Sequence, residues 1–219
     1  MTKIVFATGN RGKLREASEI LGEGFELYTP ADFGITEDIP ETGDTLEENS
    51  RQKAEFIHSL KGCDCFADDT GLEVDALGGA PGVYTARYAG ESKDFNLNMD
   101  KVLHELSLLE ASGEAVSRRA RFRSVVTLIL DGKTYTFEGV MEGEIAREKS
   151  GNGGFGYDPI FIPLEYPGMT AADITEEQKN EISHRGKALR AMSEFLNRIK
   201  GTQRRSPPGQ PDETKAANR

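Results

Sequence analysis

The 219-residue sequence contains no tryptophan and two cysteines, has no apolar run of membrane length, and carries no excess of positive charge. Each absence closes off a class. A bilayer-spanning helix needs about 20 consecutive apolar residues, and no stretch here approaches that. The opening run from Lys3 to Ala7 is too short for a signal peptide and is flanked like a strand. With 27 Lys and Arg against 37 Asp and Glu, the formal net charge is −10, which argues against the basic footprint of a general nucleic-acid binder. A small anionic ligand stays allowed, because a few cations can converge on one cleft of an acidic protein. Cys63 and Cys65 lie two apart in an apparent strand. They would share a face and stand too close for an ordinary disulfide or a closed metal site, so a reducing cytoplasm is the simplest reading.

What is present reads as an α/β chain. A strand over Lys3–Ala7 meets the turn Thr8-Gly9-Asn10-Arg11-Gly12, and Leu14, Ala17 and Leu21 then recur at helical spacing. A second helix is predicted from Thr45 to Leu60, opened by a capping box of Thr45 with Glu48. A third fits Asp94–Leu109, with Phe95, Met99, Val102, Leu103, Leu106 and Leu109 on one face. A fourth runs from about Arg185 to Ile199. Between the last two, Phe122–Leu130 and Lys133–Phe137 flank Asp131-Gly132, a hairpin signal. The expected architecture is an elongated mixed sheet flanked by helices, in two lobes with a central cleft. Residues 1–200 form one domain, and 201–219, rich in Pro and Arg without apolar anchors, read as a disordered tail.

Five segments carry candidate chemistry. The turn Thr8, Gly9, Asn10, Arg11, Gly12, Lys13 opens a helix, where free N–H groups and the dipole favour an anion and two cations add full charge. It lacks Walker A spacing, and a capped turn with two solvated cations would look the same. Asp68 and Asp69 close an apolar strand ahead of Thr70, a way to hold Mg²⁺ or to activate a water, although an exposed Asp-Asp cap is the bland equivalent. Lys53 falls beside the buried stripe of its helix, so it snorkels or meets an anion. Gly151–Pro159 contains Gly-x-Gly-x-x-Gly in the wrong context for a dinucleotide fold; Phe155, Gly156, Tyr157 and Asp158 suit a wall for a flat base. Lys179, His184, Arg185 and Lys187 crowd one helix N-terminus, where positive charge needs a partner.

Together these motifs resemble the inosine triphosphate pyrophosphatase family, which acts on non-standard purine nucleoside triphosphates. The resemblance spans about Ile4 to Ile199 and rests on Ala7–Lys13, Ala67–Leu72 continuing through Ala76–Tyr84, Gly153–Pro159 and Ile182–Gly186, in the family's order. It implies a Mg²⁺-dependent hydrolase, usually a homodimer, with Asp69 as metal ligand and proton acceptor for water. By position, Asp68 and Glu41 become its metal-site companions and Lys53 the cation on the phosphates or aspartates. Thr8–Lys13 and Thr70 then hold the triphosphate, and Phe155–Asp158, Lys179, His184 and Arg185 read the base and bind substrate. Ser50 stands where many relatives carry Ala, and the tail has no counterpart.

The chemistry is coherent with that. Water attack at the α-phosphorus releases a monophosphate and pyrophosphate, and metal and lysines neutralise the leaving charge. Donors such as charged Lys179, His184 and Arg185 suit a 6-keto purine, and the 6-amino group of adenine would leave one unpaired. Two other readings stay open on the sequence: a broader nucleotide hydrolase or a pyrophosphatase of the Maf type acting on modified pyrimidine or methylated nucleotides, and a nucleotide-binding or sensor protein without turnover.

Overall fold

A computed structural model of the chain describes residues 2–37, 39–113 and 115–203, so 204–219 of the expected tail lie outside the described residues. In chain order the elements are β1 (Thr2–Phe6), α1 (Arg11–Leu21), β2 (Phe25–Tyr28), α2 (Leu46–Lys61) and β3 (Cys65–Val74). There follow α3 (Phe95–Ala111), β4 (Arg119–Leu130), β5 (Lys133–Ile145), β6 (Phe161–Pro163), α4 (Glu176–Ile182) and α5 (His184–Gln203). The helix starts are chemically marked. Asn10 caps α1 through its side chain, Thr45 and Glu48 close the expected capping box on α2, and Asp94 caps α3. Helix α5 runs through Gln203, past the boundary expected at Gly201.

The strands form one six-stranded mixed sheet in the order β2-β1-β3-β4-β5-β6. β1 runs parallel to β2 and β3, and the remaining pairs are antiparallel. The Asp131-Gly132 hairpin is present, with both residues at positive φ (50° and 70°), as the primed turn of a twisted ribbon requires. Its second strand is longer than the Lys133–Phe137 run, reaching Ile145. The buried positions there include Gly139 and Gly143, which carry no apolar side chain and so mute the alternation signal.

Three further expectations need correction. β3 does not end at Asp68-Asp69 but continues to Val74, because β4 pairs with it along its whole length. Cys63 precedes that strand and only Cys65 lies within it; both thiols are free. On α3, Met99, Val102 and Leu106 are buried, while Phe95 and Leu109 are exposed at the ends of the helix. The middle of α3 instead buries Asn98, whose amide donates to Ala86 O and whose carbonyl oxygen accepts from Ala89 N.

The core explains where a site can form. On one face of the sheet, Phe6, Phe66, Val126 and Leu128 pack with Ala17 and Leu21 of α1 and with Leu189 and Met192 of α5. Further along the same face, Leu72, Val74, Phe122 and Met141 pack with Met99, Val102 and Leu106 of α3. On the opposite face, Val5, Cys65 and Ala67 pack against Ala54 and Ile57 of α2. Strand periodicity puts Asp68, Thr70 and Ser124 between the first two clusters, as a polar belt across a face that is apolar at both ends.

Candidate active site

Because side chains alternate along a strand, neighbours Asp68 and Asp69 point to opposite faces of the sheet. Asp68 joins the face of α1 and α5. Its two oxygens accept from Lys13 Nζ at 3.0 and 2.8 Å, and Oδ2 accepts from Arg185 Nε at 3.1 Å. Arg185 also donates to Glu16 Oε2 at 3.3 Å. Burial alone would push the Asp68 carboxyl up; Lys13, Arg185 and Lys53 together outweigh it and hold the group far below the usual carboxylate range.

Asp69 joins the face of α2. Lys53 Nζ donates to Asp69 Oδ1 at 3.1 Å and to Glu41 Oε1 at 2.6 Å. Burial raises the Asp69 carboxyl above its ordinary value against the pull of Lys53. Burial would lower the Lys53 pKa, but Asp69, Asp68 and Glu41 outweigh it and keep the ammonium charged. Glu41 lies outside any helix or strand, and α2 fixes its place. Asn49 Oδ1 accepts from Gly43 N at 2.8 Å, and Gln52 exchanges two hydrogen bonds of 2.9 Å with Thr42. Asn49, Gln52 and Lys53 thus present three successive grips from one helix face.

The expected metal trio is therefore divided. Glu41 and Asp69 come together around Lys53, whereas Asp68 is turned to the other face and engaged by two cations. Among the described residues no cluster of three or more His, Cys, Asp or Glu could hold a metal.

At the α1 turn, Asn10 Oδ1 accepts from Gly12 N and Lys13 N at 2.8 and 3.1 Å, and Thr8 Oγ1 accepts from Asn10 N. The cap thus occupies two of the amides expected to face an anion. Arg11 is exposed. Thr70 donates to Ser124 Oγ at 3.1 Å, inside the polar belt.

The glycine-rich segment is organised by one carboxylate. Asp158 is buried, and its Oδ2 accepts from Phe155 N at 2.6 Å and from Lys179 Nζ at 2.5 Å. Gly154, at φ +71°, permits this, since a Cβ there would stand 2.1 Å from the Asp158 oxygen. Lys179 lies 4.5 Å from the Phe155 ring centroid, in cation–π range, and the Phe155 ring is exposed. Only Phe155 of the two aromatics offers an open ring face. Tyr157 turns into the core beside α3, and its hydroxyl donates to Thr85 O at 2.8 Å.

The conflict expected at the last helix is resolved internally. Lys179 sits in the final turn of α4, where positive charge is favourable, and Ser183 caps α5 through Gly186 N. Arg185 meets Asp68 and Glu16, and Lys187 donates to Val140 O. His184 differs from its expected charged form. It stacks on Phe122 at 5.0 Å, and burial, then Arg185 and Lys179, hold its pKa well below 6.5, so the ring is neutral. Its Nδ1 is buried without a protein partner. Gly139 makes this placement possible: a Cβ there would stand 2.0 Å from His184 O, so only glycine lets α5 begin directly on β5.

The residues missed by the sequence reading are partners of those found. Glu16 sits one turn after Lys13, a spacing that could have flagged it. Ser124 and Thr85 become visible only when strand pairing and the chain fold bring them to Thr70 and Tyr157.

A paired-cation face and a carboxylate–lysine–carboxylate face thus lie on the two sides of one strand of an α/β protein. The chain belongs to the Ham1 family, whose model matches residues 4–195. It is 47% identical over 198 residues to a dITP/XTP pyrophosphatase of Flavobacterium johnsoniae, covering 90% of this chain and 100% of that relative. A dITP/XTP pyrophosphatase of Bacillus subtilis is 46% identical over 198 residues, at 90% and 98% coverage. Among solved structures, the Ham1 protein of Staphylococcus aureus superposes with a TM-score of 0.82 at 38% identity, covering 90% of this chain and all (100%) of that one. A HAM1 protein of Coxiella burnetii also reaches 0.82, at 40% identity and the same coverage.

Proposed function

We propose that this protein hydrolyses non-standard purine nucleoside triphosphates (ITP, dITP and XTP) to the monophosphate and pyrophosphate, removing them from the nucleotide pool. Its relatives' activity supports the reaction, and one observation carries it to this site: a cation pair and a carboxylate–lysine set meet on opposite sides of a single stretch of β3. Glu41 and Asp69 fit Mg²⁺, which takes one or two carboxylates and otherwise keeps water and phosphate oxygens. Bound there, the ion would supply Lewis-acid neutralisation of phosphate charge. Lys53 holds the two carboxylates together and lowers their mutual repulsion. Asp69, beside the ion, receives the proton of the attacking water. Lys13, Arg185 and Arg11 balance charge on the polyphosphate as pyrophosphate leaves. The exposed Phe155 ring offers a stacking face for the purine, with Lys179 beside it as a donor toward a 6-keto oxygen.

A homodimer, implied by the family resemblance, and a reducing cytoplasm, read from Cys63 and Cys65, belong to the same reading. Among the described residues no helix is long and apolar enough to cross a membrane. The decisive assay is pyrophosphate release from ITP and from ATP, with Mg²⁺ or EDTA. ITP turnover that EDTA abolishes, with ATP spared, is the expected result; efficient ATP hydrolysis would remove the proposed specificity.

A further inference from the structure

The division of the Asp68-Asp69 pair between two faces bears on what Asp68 does. Three hydrogen bonds from two cations converge on its carboxylate, whose side chain is 2% exposed. Those cations come from α1 and α5, elements far apart in sequence that meet over the same end of the sheet. Side by side and unpaired, an ammonium and a guanidinium would repel and swing apart on long, flexible stems. Lys13 stays a quarter exposed (25%) despite its bond to Asp68, so its ammonium can still reach an arriving anion. Glu16 steadies the outer end of Arg185 at 3.3 Å. Asp69 and Glu41, by contrast, share Lys53 and have neither of these cations as a hydrogen-bond partner.

We propose that Asp68 is a positioning residue, a built-in counter-ion that holds Lys13 and Arg185 ready for the substrate's polyphosphate, and not a ligand of the metal. The proposal rests on the pyrophosphatase reading of this site. It assigns the two adjacent aspartates to different partners, Asp68 to the polyphosphate-binding cations and Asp69 to the metal and the attacking water. Preorganisation of this kind strengthens binding because the ordering of two flexible side chains is complete before the ligand arrives.

The test uses the full chain and two probes that need no turnover: inorganic tripolyphosphate, followed by calorimetry, and Mn²⁺ alone, followed by electron paramagnetic resonance. Asp68→Asn is expected to weaken tripolyphosphate binding by about tenfold or more while Mn²⁺ affinity stays within about twofold of wild type. Asp69→Asn is expected to show the reverse pattern. With ITP as substrate, Asp68→Asn should raise KM by a larger factor than it lowers kcat. Loss of Mn²⁺ affinity in Asp68→Asn equal to that in Asp69→Asn would make Asp68 a metal ligand and overturn the proposal. Tighter tripolyphosphate binding would overturn it too, showing that Asp68 obstructs the cations. Should Asp68→Asn not fold, Glu16→Gln decides: a few-fold weaker tripolyphosphate binding supports the mechanism, and no change refutes it. A wild type that binds tripolyphosphate but does not hydrolyse ITP would sink the proposed function and leave this inference standing; one that binds no tripolyphosphate would sink the inference.

Discussion

On the face of β3 that looks toward α1 and α5, Asp68 is buried and accepts from Lys13 and Arg185. One residue on, Asp69 looks toward α2 and shares Lys53 with Glu41. The two carboxylates are chemically identical in a free peptide. In the fold, a surplus of cations holds Asp68 ionised far into acid, whereas burial against a shared lysine makes Asp69 more basic than usual. The charge balance around a carboxylate, and not its place in a motif, sets how readily it takes a proton.

The largest expected effect separates the two residues by kind. Asp69→Asn should cut kcat for ITP by about 10²–10⁴-fold, the range for losing a general base. Its loss of stability should be smaller than that of Asp68→Ala, for which removing one member of a buried ion cluster costs about 3–5 kcal/mol. Urea unfolding of both variants beside steady-state kinetics checks this, and an Asp69 variant less stable than the Asp68 variant would dissolve the distinction.

A smaller effect is expected where α5 touches the sheet. In Gly139→Ala the new Cβ would meet His184 O at 2.0 Å and Ala188 N at 2.6 Å. Overpacking of this sort costs about 1–3 kcal/mol. Because the first turn of α5 also carries Arg185, the substitution should raise KM for ITP as well as lower the unfolding midpoint. A change in stability with KM untouched would show that Arg185 is placed by Asp68 and Glu16 alone.

The smallest effect concerns His184 and pH. Its folded pKa lies below the usual 6.5, so under that pH the unfolded chain binds a proton that the folded chain refuses. Its contribution to stability is therefore present above pH 6.5 and is lost as pH falls, by about 1.4 kcal/mol per pH unit until the folded pKa is reached. Unfolding free energies of wild type and His184→Gln at pH 7.5 and 5.5, values chosen to bracket the titration, measure it. The acid-side slope should flatten in the variant; equal slopes would mean that His184 is not the group responsible.

The sequence by itself determined the α/β class, the capping box that opens α2 and the Asp131-Gly132 hairpin, and it named most of the candidate site residues. These are local matters: a cap needs a side chain within a few residues, and a primed turn needs two residues tolerant of positive φ. Short or glycine-bearing elements such as β2, β6, α4 and the far half of β5 were not legible, because their periodicity spans too few apolar side chains. Only the tertiary structure decided who faces whom. Alternation along β3 implies that Asp68 and Asp69 diverge, but it cannot say that α1 and α5 cover one face and α2 the other. Packing of those helices on the two faces of the sheet put two cations on Asp68 and one shared lysine on Asp69. That assignment depends on contacts between residues 16, 55 and 117 apart in the chain, Lys53 with Asp69, Lys13 with Asp68 and Arg185 with Asp68. Spacing along a sequence carries no information about such contacts until the sheet has formed.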